Sequence, residues 1–125
     1  MKFRAPSTFG LTHIALSVTD PARTAAFYTR VFGGRITWED PDSIQIEGTG
    51  PADVIVFDRD PANAGRAGGV QHFGFRLKDP ADLDGILNEV APAGGSLLRR
   101  GEFSPGRPFA YVADPDGYEI EIWFE

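Results

Sequence analysis

Apolar and polar residues alternate with a period of two in several short stretches of the chain, and this alternation predicts β-strands. The clearest stretch is LTHIALSV at 11–18. The periodicity then changes to that of an amphipathic helix, for which Thr19 or Asp20 is the expected cap. Pro21 suits the first turn of that helix, and Gly33 suits its end. The chain therefore begins with a strand followed by a helix.

The same pattern occurs a second time. Residues 10–22, GLTHIALSVTDPA, align without gaps to residues 69–81, GVQHFGFRLKDPA. The alignment superposes His13 on His72, and each segment ends in Asp-Pro-Ala. Repeats at a fixed spacing indicate duplicated structural units. The chain therefore contains two copies of one module.

Each copy predicts a strand, a helix and three further strands. Strands are expected in the first copy near 34–38, 43–48 and 53–58, and in the second near 70–77, 96–100, 107–113 and 117–124, with its helix near 80–91. A Gly/Ala-rich linker at 60–69 separates the copies. We expect an α+β fold made of two tandem βαβββ modules within a single domain over 1–125, with module 1 at about 8–59 and module 2 at about 70–125. The mixed sheets of the two modules are expected to form a cupped barrel.

Composition narrows the range of functions. The chain has 125 residues, 42% of them hydrophobic and none of them cysteine, so disulfides and thiolate metal sites are excluded. Its net charge of −6 argues against a nucleic-acid partner. No apolar run approaches the length of a membrane span, and MKFRAPSTFG shows no secretory signal. We expect a cytoplasmic protein without a membrane partner.

Strand parity places polar residues together on one face. His13 and His72 are the only histidines, and both lie on the face opposite the apolar residues of their strands. Small residues, Ala15 and Gly74, lie two positions further along. The last strand adds Glu119 or Glu121 on its matching face, and parity alone does not choose between them. Two imidazoles and a carboxylate are the ligand set of an open divalent metal site.

Three segments together resemble the vicinal oxygen chelate superfamily, which includes glyoxalase I, bleomycin-resistance proteins, fosfomycin-resistance enzymes, methylmalonyl-CoA epimerase and extradiol dioxygenases. The segments are LTHIALSVTDPARTAAFYTRVFGG, GGVQHFGFRLKDPADL and FAYVADPDGYEIEIW. The resemblance covers nearly the whole chain and identifies the superfamily without identifying one activity. It implies that His13, His72 and Glu121 bind one divalent metal ion, which the sequence leaves open among Fe, Mn, Zn, Ni and Co.

The resemblance also distinguishes activities within the superfamily. Glyoxalase I has a carboxylate at the position of about Val56, which argues against that activity here. The spacing from Tyr111 to Glu121 resembles that of extradiol dioxygenases, yet Phe103 lies near the place where those enzymes have a histidine. The loop Ser104-Pro105-Gly106 resembles the phosphonate-binding loop of fosfomycin-resistance enzymes only faintly.

These implications lead to an expected function. It is a metal-dependent enzyme, of lyase, isomerase or dioxygenase type, that acts on a small oxygenated substrate chelated to the metal. Tyr111 and Glu121 are the expected catalytic residues, Arg107 is expected to bind an anionic group of the substrate, and Trp123 to form an apolar wall. The family further implies a homodimer with a site shared between subunits. The alternative is a metal-free protein of the bleomycin-resistance type that sequesters a ligand.

Overall fold

The computed structural model describes residues 2–125 and contains eight strands and two α-helices within that range. The first half comprises β1 (His13–Val18), α1 (Pro21–Phe32), β2 (Arg35–Asp40), β3 (Ser43–Glu47) and β4 (Val54–Arg59). The second half comprises β5 (Phe73–Arg76), α2 (Leu83–Val90), β6 (Ser96–Ser104), β7 (Arg107–Ala113) and β8 (Glu119–Trp123). Among these residues no helix is long and apolar enough to cross a membrane.

The strands form two mixed four-stranded sheets with the same topology. The strand order is β1-β4-β3-β2 in the first sheet and β5-β8-β7-β6 in the second. In each sheet the first and last strands of the module run parallel, and the other pairs are antiparallel. The prediction of an α+β fold with two βαβββ modules is therefore confirmed.

Local signals in the sequence explain where α1 begins and ends. The Asp20 side chain accepts hydrogen bonds from the backbone N–H groups of Ala22 and Arg23, which have no partner within the helix. Gly33 ends α1 with a positive φ of 80°, and its N–H donates to Thr29. Of the two expected caps, Asp20 is therefore the residue that the chain uses.

Helix α1 packs between the two sheets and gives the modules a common core. The Tyr28 ring lies 5.0 Å from Phe57 of the first sheet and 6.5 Å from Phe73 of the second. Phe32 stacks on Phe75 at 4.1 Å. Both sheets therefore direct their apolar faces toward α1, and the opposite faces, which carry the polar residues, point away from this core.

The turn between β7 and β8 fastens the second module to α1. The buried Asp114 carboxylate accepts a hydrogen bond of 2.8 Å from the Tyr28 hydroxyl and further bonds from the N–H groups of Asp116 and Tyr118. Asp116 in turn forms an ion pair with Arg23 of α1. This network fixes how the two modules sit against each other.

Three elements differ from their predicted bounds. Strand β5 begins at Phe73 rather than near residue 70, because the Val70 N–H closes a turn on the Ala67 carbonyl. His72 therefore lies one residue before its strand, whereas His13 is the first residue of β1.

The second helical segment opens with a short 3-10 turn, Pro80–Asp82, before α2. Strand β6 continues to Ser104 because it forms a long hairpin with β7.

Replacing Asp114 should weaken the connection between the modules. In Asp114→Ala the buried Tyr28 hydroxyl loses its acceptor, and we expect the free energy of unfolding to fall by about 2–4 kcal/mol. Asp114→Asn keeps one oxygen for the N–H groups of Asp116 and Tyr118, and its NH2 group can donate to the Tyr28 hydroxyl, so it should lose less than Asp114→Ala. Urea unfolding at neutral pH measures both values, and equal losses in the two variants would contradict a role for this hydrogen bond.

The pH dependence of the same pair gives a second expectation. Burial raises the pKa of Asp114 above its ordinary value of 3.8. A raised folded-state pKa means that the stability contributed by the protonated carboxyl is lost as the pH rises through the folded pKa. The free energy of unfolding of the wild type, relative to Asp114→Asn, should therefore decline as the pH rises above about 4 and then level off. A relative stability that increases with pH would contradict this assignment.

Candidate functional site

Four residues lie opposite one another in a row across the outward face of the second sheet. Strand register pairs Gly74 with Glu121, Glu121 with Tyr111, and Tyr111 with Arg99. Because paired residues in a sheet direct their side chains to the same face, this row crosses all four strands of the second module. The row brings chemically active groups together within one module.

His72, Tyr111 and Glu121 form the centre of this face. The His72 Nε2 atom lies 3.5 Å from Glu121 Oε2, and the Tyr111 hydroxyl donates a short hydrogen bond to the same oxygen. The His72 and Tyr111 rings meet edge to face at 5.2 Å. Glu121 is the less exposed partner, with 14% of its side chain accessible against 35% for His72. These three residues, all predicted from the sequence, lie in contact.

Tyr111 is held in its protonated form. Its hydrogen bond to the Glu121 carboxylate raises the pKa of the phenol above the ordinary value of 10.0, and partial burial acts in the same direction. At neutral pH the hydroxyl is therefore a hydrogen-bond donor. Tyr111 can hold a proton at the position where a substrate oxygen would approach Glu121.

Arg99 is a member of the cluster that sequence reasoning missed. Its guanidinium lies 4.1 Å from the centre of the Tyr111 ring and forms an ion pair with Glu119. In the sequence, the adjacent basic residues Arg99 and Arg100 indicate nothing beyond a solvated strand end. Arg100 fits that description, since it pairs with the exposed Asp84 of α2. Arg99 does not, because a bulge in β6 directs it to the other face.

Aromatic side chains cover the glycines of this face. A Cβ atom on Gly74 would lie 2.8 Å from the Trp123 ring, and one on Gly101 would lie 2.9 Å from the Phe109 ring. Trp123 therefore packs against Gly74 on the same face as Glu121. Arg107, by contrast, is exposed at the start of β7 and pairs in register with Ser104. Among residues 2–125, Arg107 makes no side-chain hydrogen bond or ion pair with the central cluster.

His13 does not lie near His72 and Glu121, the other two predicted metal ligands. It lies on the first sheet and lines a separate cleft of about 220 Å³ with Asp53 and Gly74. Over residues 2–125, no three His, Asp or Glu side chains are placed to hold one ion. One chain thus provides two neighbouring members of the predicted ligand set, and the third points outward from the other module.

The first module has a matching but chemically different row. Val56 pairs with Ala15 and with Gln45, just as Glu121 pairs with Gly74 and Tyr111. Val56 is therefore the counterpart of Glu121, as the sequence had indicated. The acid and the hydroxyl of the second module are replaced here by an isopropyl group and an amide, neither of which can transfer a proton at neutral pH.

A larger cleft separates the free edges of the two sheets. It has a volume of about 510 Å³, and its polar lining includes Ser17, Arg66, Gln71, His72 and Glu119. This volume lies within the usual range for small-molecule sites. Because His72 lines it, the cleft opens directly beside the central cluster.

A family comparison agrees with this architecture. Residues 10–122 match the Glyoxalase/Bleomycin resistance protein/Dioxygenase superfamily. Since the match spans nearly the whole chain, the chain belongs to this superfamily.

Individual relatives are distant. The chain is 27% identical over 126 residues to a 2,2',3-trihydroxybiphenyl dioxygenase from Sphingomonas paucimobilis, with 96% of the chain aligned to 42% of that enzyme's length. A glyoxalase-related enzyme from Fulvimarina pelagi superposes with a TM-score of 0.74 at 24% identity, covering 94% of this chain and 89% of the other. A fosfomycin resistance protein from Mesorhizobium loti gives a TM-score of 0.76 at 19% identity, covering 95% and 94%. These structures share the fold.

The close contact at Gly74 gives a testable expectation. In Gly74→Ala the added methyl group would meet the Glu121 carbonyl and the Trp123 ring, so we expect a loss of about 1–3 kcal/mol in the free energy of unfolding and a shift in tryptophan emission. Gly85→Ala is the matched control. It lies within α2 with open space around it and should stabilise the protein by up to about 1 kcal/mol. Equal effects in both variants would contradict the tight packing at Gly74.

Proposed function

We propose that this protein is a metal-dependent enzyme of the glyoxalase/dioxygenase type. It acts on a small oxygenated substrate whose two oxygens chelate one divalent ion, in a lyase, isomerase or dioxygenase reaction. His13, His72 and Glu121 are the proposed ligands. The observation that carries this proposal is the convergence of His72 Nε2 and Tyr111 on a single oxygen of Glu121.

The spacing of His72 and Glu121 fits a metal ion. Nitrogen and oxygen ligands of such ions lie at about 2.0–2.2 Å, so two neighbouring ligands are about 3–3.5 Å apart. The observed 3.5 Å between His72 Nε2 and Glu121 Oε2 falls at the upper end of that range. This pair supports a metal site that needs at least one further protein ligand.

A second copy of the chain is the proposed source of that third ligand. His13 is exposed, and the residues just before it present apolar side chains to solvent, with Phe9 at 95% and Leu11 at 100% exposure. Apolar side chains left uncovered beside a polar group are typical of an interface between protein chains. We infer a homodimer in which His13 of one subunit meets His72 and Glu121 of the other.

The roles of the chain's own residues follow from their contacts. A bound divalent ion would act as a Lewis acid toward the two substrate oxygens. Glu121 directs one carboxylate oxygen toward His72, and the Tyr111 hydroxyl donates a hydrogen bond to that same oxygen. From this position Tyr111 can donate its proton to a substrate oxygen. Trp123 and Phe109 present apolar rings that restrict water on the sheet face. This chain has Val56 at the position where glyoxalase I has a second carboxylate. The site therefore has one protein carboxylate, which favours chemistry that needs a single protein acid.

Metal retention tests the ligand set. Protein purified without chelator should bind about one equivalent of Zn²⁺ or Mn²⁺ per chain, and His72→Ala should lower the affinity at least tenfold because one nitrogen ligand is lost. Calorimetric titration measures both, and Arg107→Ala is the control because Arg107 lies outside the cluster. Unchanged affinity in His72→Ala would overturn the metal site. A wild type that binds no metal would favour the metal-free binding protein.

Mixing two inactive variants tests whether the site is shared. His13→Ala and Glu121→Ala should each bind metal poorly. In a mixed dimer with shared sites, His13 of the Glu121→Ala chain meets the intact Glu121 of the His13→Ala chain and restores one site of two. Random exchange of equal amounts should therefore recover about a quarter of the wild-type sites. No recovery after verified exchange would mean that each site is built within one chain.

A further inference from the structure

We propose that Arg99 is a substrate-binding residue that recognises an anionic group, most simply a carboxylate, on the substrate. This inference rests on the proposed function, because it assigns a substrate class to the same site. It concerns a residue on β6 that neither the family resemblance nor the parity of the sequence singled out.

The first argument is position. Arg99 pairs with Tyr111, which pairs with Glu121, so the guanidinium is on the same face as the proposed metal ligands and one strand beyond the proposed proton donor. The guanidinium lies over the Tyr111 ring at 4.1 Å. A cation–π contact of this kind keeps the guanidinium close to the Tyr111 ring and restricts its motion into solvent.

The second argument is free hydrogen-bonding capacity. A guanidinium carries five N–H donors in a planar fork. Among residues 2–125, the only hydrogen bond that Arg99's side chain makes is from Nη2 to Glu119. The remaining donors are available, and 57% of the side chain is accessible. Glu119 therefore fixes one edge of the fork and leaves the other edge for a planar anion.

The third argument is charge balance. Glu119 and Glu121 together place two negative charges on this face. A divalent ion would cancel both of them. Arg99 then leaves a positive charge beside the chelating position, and Arg76, in register with Trp123 on the same face, adds a second one further along. Such a field favours a substrate that bears an anionic group in addition to its two chelating oxygens. Arg107, which the sequence suggests for this role, makes no hydrogen bond or ion pair with the cluster among residues 2–125.

A matched pair of chelating probes isolates this effect. The compounds are 3,4-dihydroxybenzoate and 3,4-dihydroxybenzamide, which carry the same two vicinal hydroxyls and differ in the charge of the remaining group. Their affinities for the Zn²⁺-loaded protein are measured by calorimetry. We expect the wild type to prefer the benzoate by roughly three- to tenfold, since a charge-assisted pair with a half-exposed arginine is only moderately strong.

Variants at two adjacent positions give the test its control. Arg99→Met should abolish the preference while leaving the affinity for the benzamide within about twofold, and Arg99→Lys should retain part of the preference because it keeps the charge. Arg100→Met removes the same charge from the neighbouring residue, which faces Asp84, and should behave as the wild type. A preference that survives in Arg99→Met, or that disappears equally in Arg100→Met, overturns the proposal.

The same probes separate this proposal from the proposed function. If the wild type holds no Zn²⁺, the metal-dependent function fails, and the probes are compared on metal-free protein. A preference for the benzoate that Arg99→Met removes would still support the anion site. Absence of any preference in the wild type, with or without metal, would overturn the anion site even if the metal site is correct.

Discussion

The position of helix α1 between the two sheets determines what the rest of the molecule can do. Because Tyr28 and Phe32 pack against rings from both modules, the apolar faces of both sheets are used in one core. The buried bond from Tyr28 to Asp114 fixes this arrangement with a directional contact. Its consequence is that the polar faces of both sheets point away from the common core.

The reactive face of the second sheet is organised by strand register. Residues separated by about ten positions in sequence, such as Tyr111 and Glu121, become direct neighbours through antiparallel pairing. Each then constrains the next, since Glu121 holds the Tyr111 hydroxyl and Arg99 covers the Tyr111 ring. A rigid strand row of this kind places its groups more reproducibly than loops would.

Much of this architecture could be predicted from the sequence, because it depends on local and repetitive signals. The structural signals in the first module are local: apolar and polar residues alternate along 11–18, Asp20 caps helix α1 and Gly33 ends it. Each of them determines the backbone only within a few residues. Because the second module repeats the sequence pattern of the first, the same order of strands and helix could be predicted for both. The parity argument placed Glu119 and Glu121 on the polar face of the last strand, and the family resemblance then singled out Glu121 and pointed to Tyr111.

Arg99 shows where such reasoning ends. In a regular strand, Leu97 and Arg99 would face the same side, yet a bulge lets Leu97 pair with Val112 and Arg99 with Tyr111. Bulges depend on tertiary pairing, and the spacing of residues does not reveal them. The separation of His13 from His72 was hidden for a similar reason, because it depends on how the modules pack around α1.

The two corresponding rows of residues show that the two modules have diverged in their chemistry. Tyr111 and Glu121 in one half correspond to Gln45 and Val56 in the other, so only one of two similar moulds retains an acid and a phenol. Each polypeptide therefore carries one such acid–phenol pair, and not two. The outward face around Gln45 and Val56 is thereby free to change in shape, and with it the range of molecules admitted, as long as His13 at the start of β1 is kept.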